Sequence, residues 1–245
     1  MSIALQVALV MVTILVVLLV IGAPIGVAIG MSSAVSMICM IPADVSFATS
    51  AQRIFAGSNS FSLIAIPFFI LAGNIMNNGG IATRLVNCAK VISGRMPGAL
   101  AQSNVVANML FGAISGSGAA AAAAMGGTIG PLEEKEGYDK NYSTAVNVAS
   151  APVGMLIPPS NTMIVYSSVA GSVSIAALFM AGYIPGLRWG GAVMILAGIM
   201  AKKRGYQAEQ RVPVKVALKT FWQAIPSLLL IVIVIGGILG GIFTA

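Results

Sequence analysis

The sequence predicts an all-α polytopic membrane protein with one re-entrant helical hairpin and one broken transmembrane helix. Three observations carry this. The 245 residues are 58% hydrophobic and only 8% charged, with mean hydropathy +0.98, where soluble domains carry about a quarter charged residues. The basic residues gather in short clusters between long apolar runs. Two interruptions, Ser115-Gly116-Ser117-Gly118 and Pro158-Pro159-Ser160-Asn161-Thr162, fall inside apolar sequence. In hydrocarbon a helix breaks only where the break is buried in protein or lines a cavity, because every backbone polar group must be satisfied internally.

Composition removes several function classes. There is no histidine, and the two cysteines, Cys39 and Cys88, sit in or beside apolar runs. Neither a His/Cys metal cluster nor a disulfide framework can be built from that set. A net charge of +7 would suggest nucleic acid in a soluble chain. Here it reads as the Lys and Arg bias of cytoplasmic loops. Residues 1–22 lack a basic leader and a small-residue cleavage site, so they read as a retained span.

The elements follow in order. Residues 1–60 read as N-terminal scaffold helices, 3–21 and 27–40, joined at Gly22-Ala23-Pro24 and followed by a polar connection from Ala43 onward. Residues 61–96 supply a transmembrane helix over 61–76 and an interfacial stretch with Arg84, Lys90 and Arg95, which should be cytoplasmic. Residues 97–132 are too few for two crossings of about 20 residues each plus a loop. Both of their flanks belong on one side, so a re-entrant hairpin turning at Ser115 to Gly118 is expected. Its descending limb carries Gln102, Ser103, Asn104 and Asn108, polar enough to require protein around them, and its rising limb is an alanine run suited to close packing. Residues 133–200 hold the broken helix over 143–170 and a further crossing over 175–200. Residues 201–226 form a basic cytoplasmic arm in which Lys202, Lys203, Arg204, Arg211, Lys215 and Lys219 face the single acid Glu209. Within it, 212–222 suits an interfacial amphipathic segment. After Pro226, residues 227–245 enter the membrane.

The chemistry of the interruptions points to a cation and an anion. No acid falls inside an expected span; Asp44, Asp139 and the four glutamates are read as loop residues, so proton coupling through a buried carboxylate has no candidate. Unwound carbonyls and Ser, Thr or Asn oxygens can hold Na+ without a buried formal charge. Pro159 offers no N–H and Pro158 opposes the preceding turn, which frees carbonyls near Leu156 and Ile157 to face the hairpin tip with Ser160, Asn161 and Thr162. At the tip, Ser115, Gly116, Ser117 and Gly118 make a sharp turn, and the N–H groups opening the rising limb present positive dipole to an anion. Blander readings stand beside these: a kink for the prolines, a packing turn for the glycines, helix caps for Asn74, Asn77 and Asn78, and a snorkelling role for Arg188. An intramembrane hydrolase is excluded by its missing groups, since a Ser-His dyad needs a histidine and an aspartyl dyad needs membrane aspartates.

Several stretches match one known family in its own order. Ser62 to Gly73 (SLIAIPFFILAG), Ser115-Gly116-Ser117, Ile157-Pro158-Pro159-Ser160, Leu178 to Gly182 (LFMAG) and Ile184-Pro185-Gly186 resemble the large transmembrane (permease) subunit of tripartite ATP-independent periplasmic (TRAP) transporters. Gly236-Gly237-Ile238 and Gly241-Ile242-Phe243-Thr244 are similar to the segment that opens the family's second half.

That resemblance implies an elevator-type fold of two inverted repeats, each with one hairpin and one broken helix, of which this chain is the first repeat and the N-terminal half. It implies a multi-pass protein of the bacterial inner membrane. The implied function is sodium-coupled import of a small organic anion (a dicarboxylate, sugar acid or sialic acid) and no enzymatic step. The implied partners are a periplasmic solute-binding protein, a small transmembrane subunit and the missing C-terminal half. The other reading is a non-transporting remnant or scaffold subunit of a membrane complex.

Overall fold

The computed structural model describes residues 3–59, 61–171, 173–208 and 213–242, and among them every regular element is a helix. Glu209, Arg211, Phe243 and Thr244, and the side chains of Asn77 and Asn78, lie outside the described residues. The chain divides into two units, Met1–Phe61 and Ser62–Ala245.

In the first unit, α1 (Ile3–Val20) turns at Gly22, φ +86°, into α2 (Ile25–Ile38), and the two pack together. No residue of α1 is buried. Leu5, Leu9, Val12, Val16 and Leu19 are all exposed, and the helix is long and apolar enough to cross a membrane. By contrast α2 buries only the small Ala28, Ser32, Ala34 and Ser36, which lets its neighbours approach closely. The expected polar connection is helical: α3 (Ala43–Ser58) starts behind Pro42 and carries Asp44 in its first turn, where the helix dipole favours an acid. Its serines need no solvent, because Ser46 Oγ donates to the Ala34 carbonyl at 2.7 Å and Ser50 Oγ to the Ser46 carbonyl at 2.8 Å.

The second unit is organised around one buried helix. After α4 (Phe61–Asn78), Gly80 at φ +75° opens α5 (Ile81–Ser93). This helix is amphipathic at a helical period: Ala82, Leu85, Val86 and Ala89 are buried while Arg84 is exposed. α6 (Ala99–Ser115) is buried along nearly its whole length and packs against α5 and against α7 (Gly118–Thr128), α9 (Lys140–Ser150), α10 (Val153–Leu156) and α12 (Ile175–Lys203). Its polar residues are buried with partners. Gln102 Nε2 donates to the Met194 carbonyl of α12 at 2.8 Å, and Ser103 Oγ to the Ala99 carbonyl at 2.7 Å. Asn108 Nδ2 lies within 2.9 Å of Asn104 Oδ1, 3.0 Å of Asn147 Oδ1 and 2.8 Å of Ser150 Oγ. Each such bond is worth about 1 kcal/mol, and leaving a partner buried without it costs more. Apolar packing fills the rest: Leu85, Phe111, Met125 and Ile129 on one side of α6, Val105, Tyr142, Val146 and Ala197 on the other.

Among the described residues α1, α12 and α13 (Val214–Leu239) are long and apolar enough to cross a membrane. A further bent pair qualifies if counted as one span: Lys140–Leu156 and α11 (Asn161–Ala170) meet at 50°. Two expectations change here. The interfacial segment and the span expected after Pro226 form one helix, with Pro226 inside it and Lys215 and Lys219 in its first turns. Glu133, read as a loop acid, is 1% exposed in the short α8 (Gly130–Lys135), which Pro131 starts and which folds against α6, α7 and α9. Near it, Asp139 caps α9 by accepting from the Tyr142 N–H at 2.9 Å and pairs with Arg204 at 3.0 Å, so the end of α12 is tied to the start of α9. Those bonds, the Tyr142 N–H first and Arg204 second, hold the Asp139 carboxyl below its ordinary range.

Candidate ion and substrate site

The two sequence interruptions meet in space. α6 ends where Gly116 takes φ +63°, its N–H bonding the Gly112 carbonyl at 2.8 Å. Ser117 then opens α7, with its Oγ accepting from the Ala120 N–H at 3.3 Å. In the broken helix, α10 stops at Leu156, the Pro158–Pro159 bond is cis, and Ser160 opens α11 by accepting from the Met163 N–H at 3.4 Å and donating to the Met155 carbonyl. One hydrogen bond joins the two breaks: the Asn161 N–H donates to the Gly116 carbonyl at 3.3 Å.

Glycine is required at that junction. A Cβ on Gly116 would lie 3.1 Å from the Asn161 nitrogen and 3.2 Å from the Pro159 oxygen, in a backbone region L-residues rarely adopt. A tighter contact supports it from below. A Cβ on Gly112 would fall 2.1 Å from the Gly154 Cα, so α6 and α10 touch backbone to backbone. Gly182 and Gly186 of α12 do the same against the break, where a Cβ would meet the Leu156 oxygen at 2.3 Å and Ile157 Cγ1 at 2.7 Å. The motif residues alone did not show these four glycines as the frame of the site. Their signal is a glycine on each of two helices that cross, a pattern only the fold pairs.

The expected site residues are distributed as follows. Ser115 is buried and lies with its Oγ 3.4 Å from both the Ser117 N–H and the Ser117 carbonyl. Ser117 is half-buried, Gly118 is packed under the Ala151 carbonyl, and Ser160 is fully buried. Asn161 is half-buried, and its Oδ1 is shielded from solvent with no hydrogen-bond partner. Pro158 and Pro159 are buried, and no N–H among the described residues donates to the carbonyls of Leu156, Ile157, Pro158 or Pro159. Two placements differ from expectation, those of the Leu156 carbonyl and of Thr162. The Leu156 carbonyl points at Gly182 of α12, leaving Pro159 O as the carbonyl that reaches the tip. The Ile157 side chain packs in an apolar cluster with Ala113 and Val153. Thr162 is exposed.

Asn74 also takes a different place. Helix α4 runs on to Asn78, so Asn74 is a full turn short of a capping position. Instead it lines, with Gly73, Phe111, Ser115 and Ser117, a cavity of about 360 Å³ against the hairpin tip. The whole site is built without a formal charge: neutral oxygens suited to a hard cation, beside the N-termini of α7 and α11, whose N–H groups and dipoles favour an anion.

The family model described as the tripartite ATP-independent periplasmic transporter, DctM component, matches residues 12–245. The chain belongs to the DctM family. As a DctM-family chain it is a multi-pass membrane protein. It is 53% identical over 87% of its length to the uncharacterised protein YgiK of Salmonella typhimurium, covering 49% of that protein. It is 38% identical to the C4-dicarboxylate TRAP transporter large permease protein DctM of Rhodobacter capsulatus, over 80% of this chain and 48% of that one. With the sialic acid TRAP transporter large permease protein SiaM of Vibrio cholerae it shares 40% identity over 80% of its own length and 45% of the relative's. The chain thus spans about half the length of the curated relatives it matches.

Proposed function

We propose that this chain forms one wall of the transport site of a secondary, sodium-coupled TRAP permease that imports a small organic anion across the bacterial inner membrane. The observation that carries the reading is the Asn161 N–H bond to the Gly116 carbonyl. It brings two half-helix N-termini together beside Pro159 O and the partnerless Asn161 Oδ1. Discontinuous helices meeting in this way place coupling ions on unwound carbonyls and anionic substrate groups at helix N-termini. In that reading Na+ takes the Pro159 and Asn161 oxygens with the Ser115 or Ser117 hydroxyl. The substrate carboxylate takes the N–H ends of α7 and α11.

Element length supports a re-entrant hairpin within an elevator-type repeat. At about 1.5 Å per residue, the 17 residues of α6 and 11 of α7 reach roughly 26 and 16 Å, short of the ~30 Å hydrocarbon layer. Two of the relatives named above are permeases whose names specify a C4-dicarboxylate and sialic acid, so the cargo in this proposal is a small organic anion, and the protein is a transporter without an enzymatic step. A periplasmic solute-binding protein, a small membrane subunit and a second repeat complete the assembly in this proposal.

The test is uptake in proteoliposomes holding the chain together with the second repeat, the small subunit and a solute-binding protein loaded with a radiolabelled C4-dicarboxylate or sialic acid. Uptake should require an inward sodium gradient. Uptake driven equally well by potassium would overturn the sodium assignment, and assemblies that bind but never move solute would leave a scaffold role instead.

A further inference from the structure

A second polar cavity lies at the opposite, open end of the α6–α7 hairpin, away from the site proposed above. It holds about 370 Å³ and is lined by residues of α6, α7, α8 and α9. At its wall Glu133 is 1% exposed, and among the described residues neither carboxylate oxygen has a hydrogen-bond partner. Ser143 Oγ, buried and also without a partner, lines the same space, as do Thr144 and Asn147. A buried carboxylate with four idle lone pairs is costly, since charges taken out of water are normally paired or bound to a cation.

Lining charge indicates what would satisfy it. Two carboxylates, Glu133 and Glu134, and one ammonium, Lys140, border the cavity, leaving one negative charge uncompensated. Glu134 and Lys140 are exposed, so the buried deficit is that of Glu133. The oxygens bordering the cavity are the Glu133 carboxylate, the hydroxyls of Ser143 and Thr144, and the Asn147 amide oxygen, which also accepts from Asn108; the buried Asn104 Nδ2 borders it as a donor. Oxygen donors select hard cations, and divalent ions take sites richer in acids.

We propose that this cavity is a sodium site, with Glu133 as the charged ligand and Ser143 as the neutral one, fastening the open end of the hairpin to the first turns of α9. It is independent of the transport reading, because none of its residues belongs to the hairpin tip or the broken-helix junction. Burial pushes the Glu133 carboxyl up to about 7. Protons therefore compete with sodium near neutrality. The other titratable groups around it are Glu134 on α8, Tyr138 on the connection, and Lys140 and Tyr142 on α9. α6 and α7 contribute none.

The experiment is equilibrium binding of ²²Na+ to the purified chain in nanodiscs, with choline chloride holding ionic strength constant. Wild type should show a sodium component that Glu133→Gln abolishes, that Ser143→Ala weakens several-fold, and that fades as pH falls below about 7. Glu136→Gln should bind as wild type does. Asn161→Ala and Ser117→Ala should leave this component intact, so failure of the tip site and failure of this one give different patterns. A Glu133→Gln binding curve superimposed on the wild type would overturn the site. So would sodium uptake that emerges only in Lys140→Gln, which would make the lysine ammonium the occupant.

Discussion

The two ends of the α6–α7 hairpin solve opposite electrostatic problems. At the tip, backbone carbonyls, backbone N–H groups and neutral side-chain oxygens are drawn together by glycines, and no formal charge is buried. At the open end, Glu133 is buried with both oxygens idle in a cavity beside hydroxyls and amides. Geometry dominates the first. Charge dominates the second. A neutral site is made by backbone approach, so it should be fragile to added volume and indifferent to pH; a charged one should behave the other way round.

Added volume should do the most damage where α6 and α10 touch backbone to backbone. Gly154→Val puts a branched side chain where even a Cβ would lie 2.4 Å from the Gly112 Cα, against backbone that cannot swing aside. Overpacking typically costs about 1–3 kcal/mol, and more where backbone must shift. The expected outcome is loss of folded chain by size-exclusion chromatography after detergent extraction. A monodisperse variant with wild-type melting behaviour would show that α6 and α10 are not in backbone contact.

Next in size is Glu133. Its folded-state value of about 7 lies above the ordinary 4.5, so the folded protein holds the proton more tightly than the unfolded chain. Stability is then lost as pH rises from about 4.5 to about 7, and above that the penalty is complete, on the order of 3 kcal/mol without sodium. Glu133→Gln should therefore raise the thermal midpoint at pH 8 in choline buffer and change little at pH 4.5. Equal midpoints at both pH values would remove the buried charge from the account.

A smaller effect is expected midway along the hairpin, where Asn108 links α6 to α9. Its Nδ2 faces Asn104, Asn147 and Ser150, and Asn147 in turn donates to the Ala122 carbonyl of α7 at 2.9 Å. Asn108→Ala strands buried partners at a cost of about 1–3 kcal/mol. Destabilisation should be independent of pH when the thermal midpoint is measured in choline buffer. A variant as stable as the wild type there would show that the contacts to Asn104, Asn147 and Ser150 are not made.

How far each end could be read from sequence follows the same contrast. Gly116, Gly118, Pro158 and Pro159 are conspicuous because they cluster in two interruptions of apolar sequence, and those interruptions meet at Asn161 and Gly116. What they could not supply was direction: that the Leu156 carbonyl turns to Gly182, that Ile157 packs inward, and that Thr162 faces out. Direction depends on which helix lies behind the break. The open end was illegible for another reason. Glu133 stands among Glu134, Lys135 and Glu136, and a charge-dense run reads as solvated surface until packing buries one member. Likewise Pro226 reads as a boundary before a span, yet α13 continues through it, because a proline interrupts only its own hydrogen bond when neighbours hold the helix.

The smallest structural effect is expected at Asn161. The Asn161 N–H, not its side chain, bridges to Gly116, so Asn161→Ala keeps that bond and removes the side-chain amide with its partnerless Oδ1. Folding should change by less than about 1 kcal/mol, the cost of a surface-like substitution with no bond lost. Sodium dependence of uptake should nevertheless weaken, with the half-saturating concentration rising several-fold while the pH profile stays flat. If Asn161→Ala instead altered stability and left sodium dependence untouched, its oxygen would be a packing feature and the neutral end of the hairpin would hold no ion. The inverse pattern at Glu133, a pH-sensitive change with the tip's sodium response preserved, is what two separate cation sites on one hairpin require.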